Sequence, residues 1–409
     1  MSDSPRWANS LSSRVSLEGA IAELMTGLPT ELVKGADLGL VFISAAYASE
    51  YSRVMPLLRE HLRVPALIGC SGGGIVGTGV NGSAREIEQE PAISLTLAKL
   101  PGVEVKTFYL DGESLPDLDG SPNDWVNLVG VNPREEPNFV ILADPFSARI
   151  NDLLQGLDFA YPRAAKVGGL VSGGEAGFRN GLFCNYELYR EGVVGVALSG
   201  NVRLEPIVAQ GCRPVGDLYQ VVKGERNVIV ELAKAEQINQ PLVPVEALRE
   251  LLDGLTPGDR ALAEHSLFIG LARDEFKLEL EAGDFLIRNM IGVDPRLGAI
   301  AIGDRVRPGQ RLQFHLRDAQ TSAQDLEIML KKYQEVGREA IGALMFTCLG
   351  RGERLYGKSN FDSQMFQRLI SQIPVAGFFC NGEIGPVGGQ TFLHGYTSVF
   401  GIVSVPDLD

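Results

Sequence analysis

The stretch GFFCNGEIG, from Gly377 to Gly385, combines three glycines with a cysteine, an asparagine and a glutamate. The same spacing, in which four and then two residues separate the glycines, recurs as GCSGGGIVG at 69–77 and GLVSGGEAG at 169–177. One such match is unsurprising in a chain with 48 glycines. Three matches in one chain indicate an internal repeat.

The sequence around each glycine stretch shows the same order of patterns. A short apolar run predicts a buried strand, a segment with apolar residues at helical spacing follows, and a proline ends it before the glycine-bearing strand. A further strand-like run comes next without an intervening helix, which indicates antiparallel pairing. Each repeat is therefore predicted to be a β-α-β unit in a mixed sheet. The three apolar runs are LGLVFISAA from Leu38, NFVILAD from Asn138 and IGALMFTCLG from Ile341.

The region from about 217 to 316 shows a different sequence pattern from the three repeats. Residues 283–318, GDFLIRNMIGVDPRLGAIAIGDRVRPGQRLQFHLRD, alternate apolar runs with turn sequences and predict an antiparallel meander. An amphipathic helix is predicted to start at Ser16, and a second one at Ser322, where Ser322 and Asp325 resemble a capping box. The predicted fold class is mixed α/β: mixed β-sheets flanked by helices, built from recurring β-α-β units, with an added antiparallel meander in the second half.

The composition excludes several classes of partner. With 37 basic and 51 acidic residues, the net charge is −14, so neither nucleic acid nor an anionic membrane is expected to bind. The five cysteines form no C-x-x-C pair, which is typical of reduced thiols in the cytoplasm. The four histidines are scattered, so no metal site is predicted. The glycine spacing matches neither G-x-G-x-x-G nor the P-loop, and no cofactor is expected.

Three segments of the second half resemble the C-terminal domain of the FIST family, the F-box and intracellular signal transduction proteins. They are PVAGFFCNGEIGPVGGQTFLHGYTSVFGIV (Pro374–Val403), LQFHLRDA (Leu312–Ala319) and MFTCLGRGERLYG (Met345–Gly357). The first half, with its early GCSGGG stretch, resembles the paired FIST N-terminal domain. The resemblance implies a helix and tail at 1–34, a FIST N-terminal domain at 35–220 and a FIST C-terminal domain at 221–409.

The resemblance also implies a function. It predicts a sensory module for signal transduction that binds a small ligand, an amino acid or related carboxylate, rather than an enzyme. About 35 residues precede the match, too few for an F-box with its own core. A signalling protein partner would then supply the output, and the oligomeric state is left open.

The predicted ligand site lies around the third glycine stretch. Glycine lets main-chain amides face open space, where they can hold a carboxylate. Arginine binds carboxylates through two parallel hydrogen bonds, and Arg351 follows a predicted strand, where open α/β sheets bind ligands. A glutamate and an asparagine can accept a ligand's ammonium group. The predicted ligand-binding residues are Cys380, Asn381, Gly382, Glu383, Gly385, His394, Arg351 and Arg317.

Two other functions stay open. Cys380 or Cys348 could serve a thiol-dependent enzyme of acyl transfer or hydrolysis, with Glu383 and His394 activating Cys380. That role requires a lowered thiol pKa, whereas a free cysteine most often is a small buried apolar residue. An acidic surface also suits a protein-interaction scaffold. Glu175 occupies the position of Glu383 in the second glycine stretch and is a second candidate acid.

Overall fold

The structure is a computed structural model that describes residues 4–173 and 180–406. The chain forms two compact units, the first comprising Met1–Ala209 with Glu327–Asp409, and the second comprising Gln210–Leu326. In sequence the second unit is therefore an insertion into the first.

The described residues form 25 strands and ten α-helices, numbered in chain order. The strands are β1 (Arg6–Ser12), β2 (Leu38–Ser44), β3 (Ala66–Gly72), β4 (Gly74–Thr78), β5 (Ala84–Glu88), β6 (Ile93–Lys99), β7 (Val103–Leu110), β8 (Asn138–Ala143), β9 (Lys166–Leu170), β10 (Leu182–Cys184), β11 (Glu187–Tyr189), β12 (Val193–Gly200), β13 (Arg203–Ala209), β14 (Cys212–Glu225), β15 (Val228–Lys234), β16 (Pro241–Leu242), β17 (Leu267–Ala272), β18 (Phe285–Asp294), β19 (Ala299–Ile302), β20 (Arg311–Arg317), β21 (Ala340–Cys348), β22 (Val375–Cys380), β23 (Glu383–Val387), β24 (Gln390–His394) and β25 (Ser398–Ser404). The helices are α1 (Leu17–Gly27), α2 (Thr30–Gly35), α3 (Tyr51–His61), α4 (Pro122–Val129), α5 (Ile150–Ala160), α6 (Pro244–Gly254), α7 (Pro257–Ser266), α8 (Ala319–Gln334), α9 (Glu353–Tyr356) and α10 (Phe361–Leu369). Short 3-10 helices cover Ala45–Glu50, Gly112–Ser114, Pro133–Glu135 and Ala282–Asp284.

The first unit contains three six-stranded sheets with one shared plan. Their strand orders are β1-β6-β2-β3-β10-β11, β7-β12-β8-β9-β23-β24 and β13-β25-β21-β22-β4-β5. In each sheet the two central strands are parallel and every other neighbouring pair is antiparallel. The parallel pairs β2/β3, β8/β9 and β21/β22 belong to the three predicted β-α-β units, which confirms the mixed α/β fold class.

Each repeat completes the sheet of another repeat. The hairpin that follows β3 is β4–β5, and it pairs with β22 of the third repeat. The hairpin β10–β11 of the second repeat pairs with β3 of the first, and β23–β24 of the third pairs with β9 of the second. The exchange is cyclic, so none of the three sheets is complete without its neighbour.

The main core of the first unit lies where the inner faces of the three sheets meet. Phe42 of the first sheet stacks on Phe378 of the third, with ring centroids 5.4 Å apart, and Phe346 meets both rings edge-on. Val140 and Val196 of the second sheet join the same cluster. The helices cover the outer faces, as their single apolar stripes require, with α1 and α3 on the first sheet and α4 and α5 on the second.

The second unit contains a seven-stranded antiparallel sheet in the order β14-β20-β17-β18-β19-β15-β16. Antiparallel strands β17, β18 and β19 form a meander. Strands β18 and β19 come from the segment 283–318 for which the meander is predicted, whereas the last strand of that segment, β20, lies between β14 and β17 rather than next to β19. Helices α6 and α7 pack on this sheet through apolar residues that include Ala247, Leu251 and Ala263.

Of the two predicted helix starts, one is correct and one is wrong. Ser16 caps α1 by accepting a hydrogen bond from the Gly19 amide. Helix α8, however, begins at Ala319, and Asp318 accepts the Thr321 amide at 2.7 Å. Ser322 lies inside the helix, where its hydroxyl donates to the Gly211 carbonyl at 3.0 Å. An aspartate caps as well as a serine, so the earlier of two possible caps is used here.

Candidate functional site

The described parts of the three glycine stretches, which begin at Gly69, Gly169 and Gly377, meet at one place in the first unit. The Gly73 amide of the first turn donates to the Ser172 hydroxyl of the second at 2.8 Å, and that hydroxyl donates to the Phe379 carbonyl of the third. The Asn381 amide of the third turn donates back to the Leu170 carbonyl at 3.0 Å. We call this meeting point, formed by residues 71–74, 170–173 and 379–382, the turn cluster.

Some glycines in and next to the turn cluster are needed because the turns approach each other so closely. A Cβ atom on Gly169 would lie 2.4 Å from the Cys380 Sγ, and one on Gly72 would lie 2.8 Å from the Phe378 Cβ. Gly173 has φ +87°, a conformation that glycine adopts at little cost, and its Cβ would lie 2.8 Å from that of Ala45. These contacts give the glycines a packing role whether or not a ligand binds.

The tips of the turns reach the surface at the carboxyl ends of the parallel strand pairs. Gly73 and Gly173 are half-buried, and Asn381 and Leu349 are exposed. Ligands of open α/β sheets bind outside the carboxyl ends of the strands. The amides of Gly73 and Asn381 already bind protein acceptors. Among the described residues of the turn cluster, the exposed polar side chain is that of Asn381, whose Nδ2 donates to the Val171 carbonyl at 3.3 Å.

A cation that the sequence reasoning missed lies close to the first turn. The Ser71 hydroxyl accepts the Gly181 amide at 3.0 Å, and next to Gly181 the Asn180 carbonyl accepts from Arg190 at 3.2 Å. The Arg190 guanidinium also lies 5.8 Å from the centre of the Tyr51 ring. No sequence pattern marks Arg190, which follows an edge strand in a polar stretch. Only the exchanged hairpin β10–β11 brings it to the first repeat.

Cys380, Glu383 and His394 come together, but they do so inside the protein. All three are buried, and Glu383 and His394 are paired across the β23–β24 hairpin. Glu383 accepts the Thr397 amide at 3.0 Å, and His394 Nε2 donates to the Gly385 carbonyl at 2.9 Å. Burial raises the pKa of the Cys380 thiol well above its usual range, and the Glu383 charge raises it further. Cys380 of the turn cluster thus belongs to a buried layer that also contains Glu383 and His394.

The two predicted arginines make contacts within their own units. Arg351 is fully buried, and its Nε and Nη2 donate to the two carboxylate oxygens of Asp362 at 2.7 and 3.1 Å. It thus makes the predicted forked contact, but with a carboxylate of its own chain. Arg317 lies in β20 of the second unit, over the Phe268 ring at 6.0 Å. Glu175 lies outside the described residues.

The five cysteines differ in accessibility, which gives a testable order of labelling. Cys348 is half-buried, whereas Cys70, Cys184, Cys212 and Cys380 are buried. We expect iodoacetamide to modify Cys348 first in the folded protein, and Cys380 only through opening of the structure. Peptide mapping by mass spectrometry at timed intervals measures this order. Labelling of Cys380 as fast as a thiol in a short peptide would contradict the buried cluster.

These features define a class of protein: a three-repeat α/β module with a turn cluster at the carboxyl ends of its parallel strands. Residues 37–235 match the FIST N domain and residues 244–386 match the FIST C domain, with no match to an F-box family model. The chain belongs to the FIST family, whose domains are sensory domains of signal transduction.

Relatives match along most of the chain. An uncharacterized protein of Mycobacterium bovis is 35% identical over 363 residues, which cover 88% of this chain and 89% of that protein. An uncharacterized protein of Mycobacterium tuberculosis is 34% identical over 381 residues, or 93% and 94% of the two chains. An F-box/LRR-repeat protein of Arabidopsis thaliana is 23% identical, covering 76% and 67%. A crystal structure of cyanuric acid hydrolase from A. caulinodans aligns over 99% of this chain and 100% of its own at 10% identity and a TM-score of 0.33, too weak to support an argument.

Within residues 4–173 and 180–406, no helix is both long and apolar enough to cross a membrane. Over the same residues, no group of three or more histidine, cysteine, aspartate or glutamate side chains is arranged to hold a metal ion.

Proposed function

We propose that this chain is a sensory module that binds a small carboxylate-bearing metabolite, such as an amino acid, at the turn cluster. The observation that carries the proposal is the convergence of three strand-end turns from three repeats on one half-exposed surface. A ligand seated there would contact all three repeats, and its binding would stabilise their arrangement. A signalling partner that distinguishes the bound from the free arrangement would supply the output.

The polar groups around the turn cluster suit such a ligand. Arg190 supplies a positive charge two contacts away from Ser71, within the same strand-end region. Asn381 offers both a donor and an acceptor at the surface. Cys380 and Gly382 shape the third turn, while Glu383, Gly385 and His394 form the buried layer beneath it.

The buried position of Cys380 favours binding over thiol catalysis. A catalytic thiol must be ionised and reach its substrate, and burial opposes both conditions. Cys348 is half-buried and its Sγ accepts the Gly350 amide at 3.4 Å, which satisfies it within the protein. Neither thiol therefore has the setting of an activated nucleophile.

A thermal-shift screen tests the proposal. The panel is the amino acids, the dicarboxylates of central metabolism and the nucleotides, with wild type, Asn381→Ala and Asn239→Ala. Binding to the folded state alone stabilises by about 2.7 kcal/mol at a ligand concentration of a hundred times the Kd. We expect at least one carboxylate to raise the melting temperature of wild type, and Asn381→Ala to abolish or weaken that rise.

Asn239→Ala is the matched control, because Asn239 is an exposed asparagine of the second unit. It should keep the full ligand response. A rise that Asn381→Ala leaves unchanged would move the site away from the turn cluster. A panel without any response would remove the support for a metabolite ligand of these classes.

A further inference from the structure

The exchanged hairpin β4–β5 brings an unusual carboxylate into the third repeat. Glu86, on the edge strand β5, is 3% exposed. Its Oε1 accepts the Ser363 amide in the first turn of α10 at 2.7 Å. Its Oε2 is buried and has no hydrogen-bond partner of normal geometry among the described residues. A buried carboxylate oxygen without a partner is costly when it is ionised.

The surroundings of Glu86 contain more negative than positive charge. Asp362 of α10 and Glu88 of β5 both act on it electrostatically, and Tyr356 of α9 feels its charge. The cation of the cluster, Arg351, is already engaged with both oxygens of Asp362 and with the Tyr356 hydroxyl. Of these two buried carboxyl groups, Asp362 is the one that Arg351 binds.

The equivalent hairpin of another repeat also docks through a carboxylate, but that carboxylate has a cation beside it. In β24, the Thr391 amide and hydroxyl donate to the Asp158 carboxylate at 2.7 and 2.8 Å. Asp158 has a cation of its own, since the Lys166 Nζ lies 2.9 Å from its Oδ1. The Asp158 carboxylate therefore contacts both the docked hairpin and a cation. Among the described residues, no cation pairs with Glu86 in this way, so its charge would be uncompensated if it ionised in the docked hairpin.

We infer that Glu86 is a proton-binding site that holds the β4–β5 hairpin on the third repeat when neutral and loosens it when ionised. Burial raises the pKa of Glu86 from its ordinary value of 4.5 to about 8, and the charge of Asp362 adds to the effect. The folded group is therefore neutral below about pH 8. In an opened hairpin the group returns to its ordinary value and ionises.

The contacts that hold the hairpin lie around Glu86. The Glu86 amide donates to the Asn360 Oδ1 at 2.6 Å, and the Ala84 amide donates to the Gln367 Oε1 at 2.7 Å. Glu88 accepts the Glu353 amide at the start of α9 at 2.9 Å. Since β5 is the edge strand of its sheet, it can separate without breaking a strand pair on its outer side.

The loosening would reach the turn cluster. The loop after β21 that carries Arg351 begins at Leu349, whose amide donates to the Cys380 carbonyl at 3.1 Å. The Leu349 side chain also lies over Gly73. Release of the hairpin therefore frees a loop that contacts two of the three turns, so that pH changes the surface at which the turns meet.

Hydrogen exchange of wild type and Glu86→Gln between pH 5 and 8 tests the inference. The amides of Glu86 and Ser363 report on the hairpin, after correction for the intrinsic exchange rate at each pH. Because the open form gains one ionised carboxyl, protection in wild type should fall about tenfold per pH unit and level off above pH 8. In Glu86→Gln, which keeps the shape of the side chain but cannot ionise, most of this fall should be lost, and the remainder should come from Glu88, whose pKa burial also raises.

The Thr391 amide on the equivalent hairpin is the control. At each pH, its protection in Glu86→Gln should equal its protection in wild type. A pH-independent protection of the Ser363 amide in wild type would overturn the inference, as would an equal slope in Glu86→Gln. A measurement without any variant is the ¹³C titration of the Glu86 carboxyl in wild type. A midpoint near its ordinary value rather than near 8 would also overturn it.

Discussion

Replacing Gly377 by alanine is expected to prevent the first unit from folding at 25 °C or to cost it about 4 kcal/mol or more. Gly377 lies in β22, and its added Cβ would lie 1.8 Å from the carbonyl oxygen of Met345 on the parallel neighbour β21. The obstacle is backbone rather than a mobile side chain end, so the two central strands would have to separate. Urea unfolding followed by tryptophan fluorescence measures the loss, because the two tryptophans, Trp7 and Trp125, are buried in this unit.

In the other two repeats a glycine also lies this close to the backbone of the parallel neighbouring strand, so we expect the same loss from alanine there. A Cβ on Gly69 would lie 2.1 Å from the Val41 oxygen, and one on Gly168 would lie 1.8 Å from the Ile141 oxygen. Gly35→Ala in the same unit is the control, because no atom lies within 4 Å of the added Cβ. It should unfold like wild type. A Gly377→Ala protein that is equally stable would show that the strand spacing is not what requires glycine.

These three glycines show which parts of the repeats the sequence could predict and which it could not. The repeated β-α-β order was readable because apolar periodicity and proline positions are local signals. The glycine spacing matches Gly169 with Gly69 and Gly377. In the structure the equivalent residue is Gly168, one position earlier, since it pairs in the sheet as Gly69 and Gly377 do. Two adjacent glycines made both alignments possible, and only the contact with the neighbouring strand distinguishes them.

The exchange of hairpins was not predictable from local patterns. The residues of β4 and β5 would suit pairing with β3 of their own repeat as well as pairing with β22 of the third, so their local sequence does not specify the partner strand. For the same reason Glu86 and Asp362 were not recognised: each looks like an ordinary polar residue until the exchange buries them in one cluster. Arg351 was recognised as a carboxylate-binding residue, but the sequence could not show that Asp362 would be the carboxylate.

The second large effect is expected from Arg351→Met, which should destabilise the first unit by about 3–5 kcal/mol at pH 7. Methionine keeps much of the buried volume but removes the guanidinium, so Asp362 would be left as a buried charge without its cation. The Tyr356 hydroxyl and the Tyr396 carbonyl would also lose their hydrogen bonds to Arg351, of 2.6 and 3.4 Å. Urea midpoints from tryptophan fluorescence measure the change, provided that the denaturant dependence stays equal.

Two further variants separate the lost ion pair from lost packing. Arg53→Met removes an arginine whose pairs with Glu18 and Glu50 are at the surface, and it should leave the urea midpoint nearly unchanged. Adding Asp362→Asn to Arg351→Met neutralises the stranded charge and should recover part of the stability. If Arg351→Met costs no more than Arg53→Met, the buried pair does not hold this loop. If the double variant recovers nothing, the loss comes from packing and hydrogen bonds rather than from the uncompensated carboxylate.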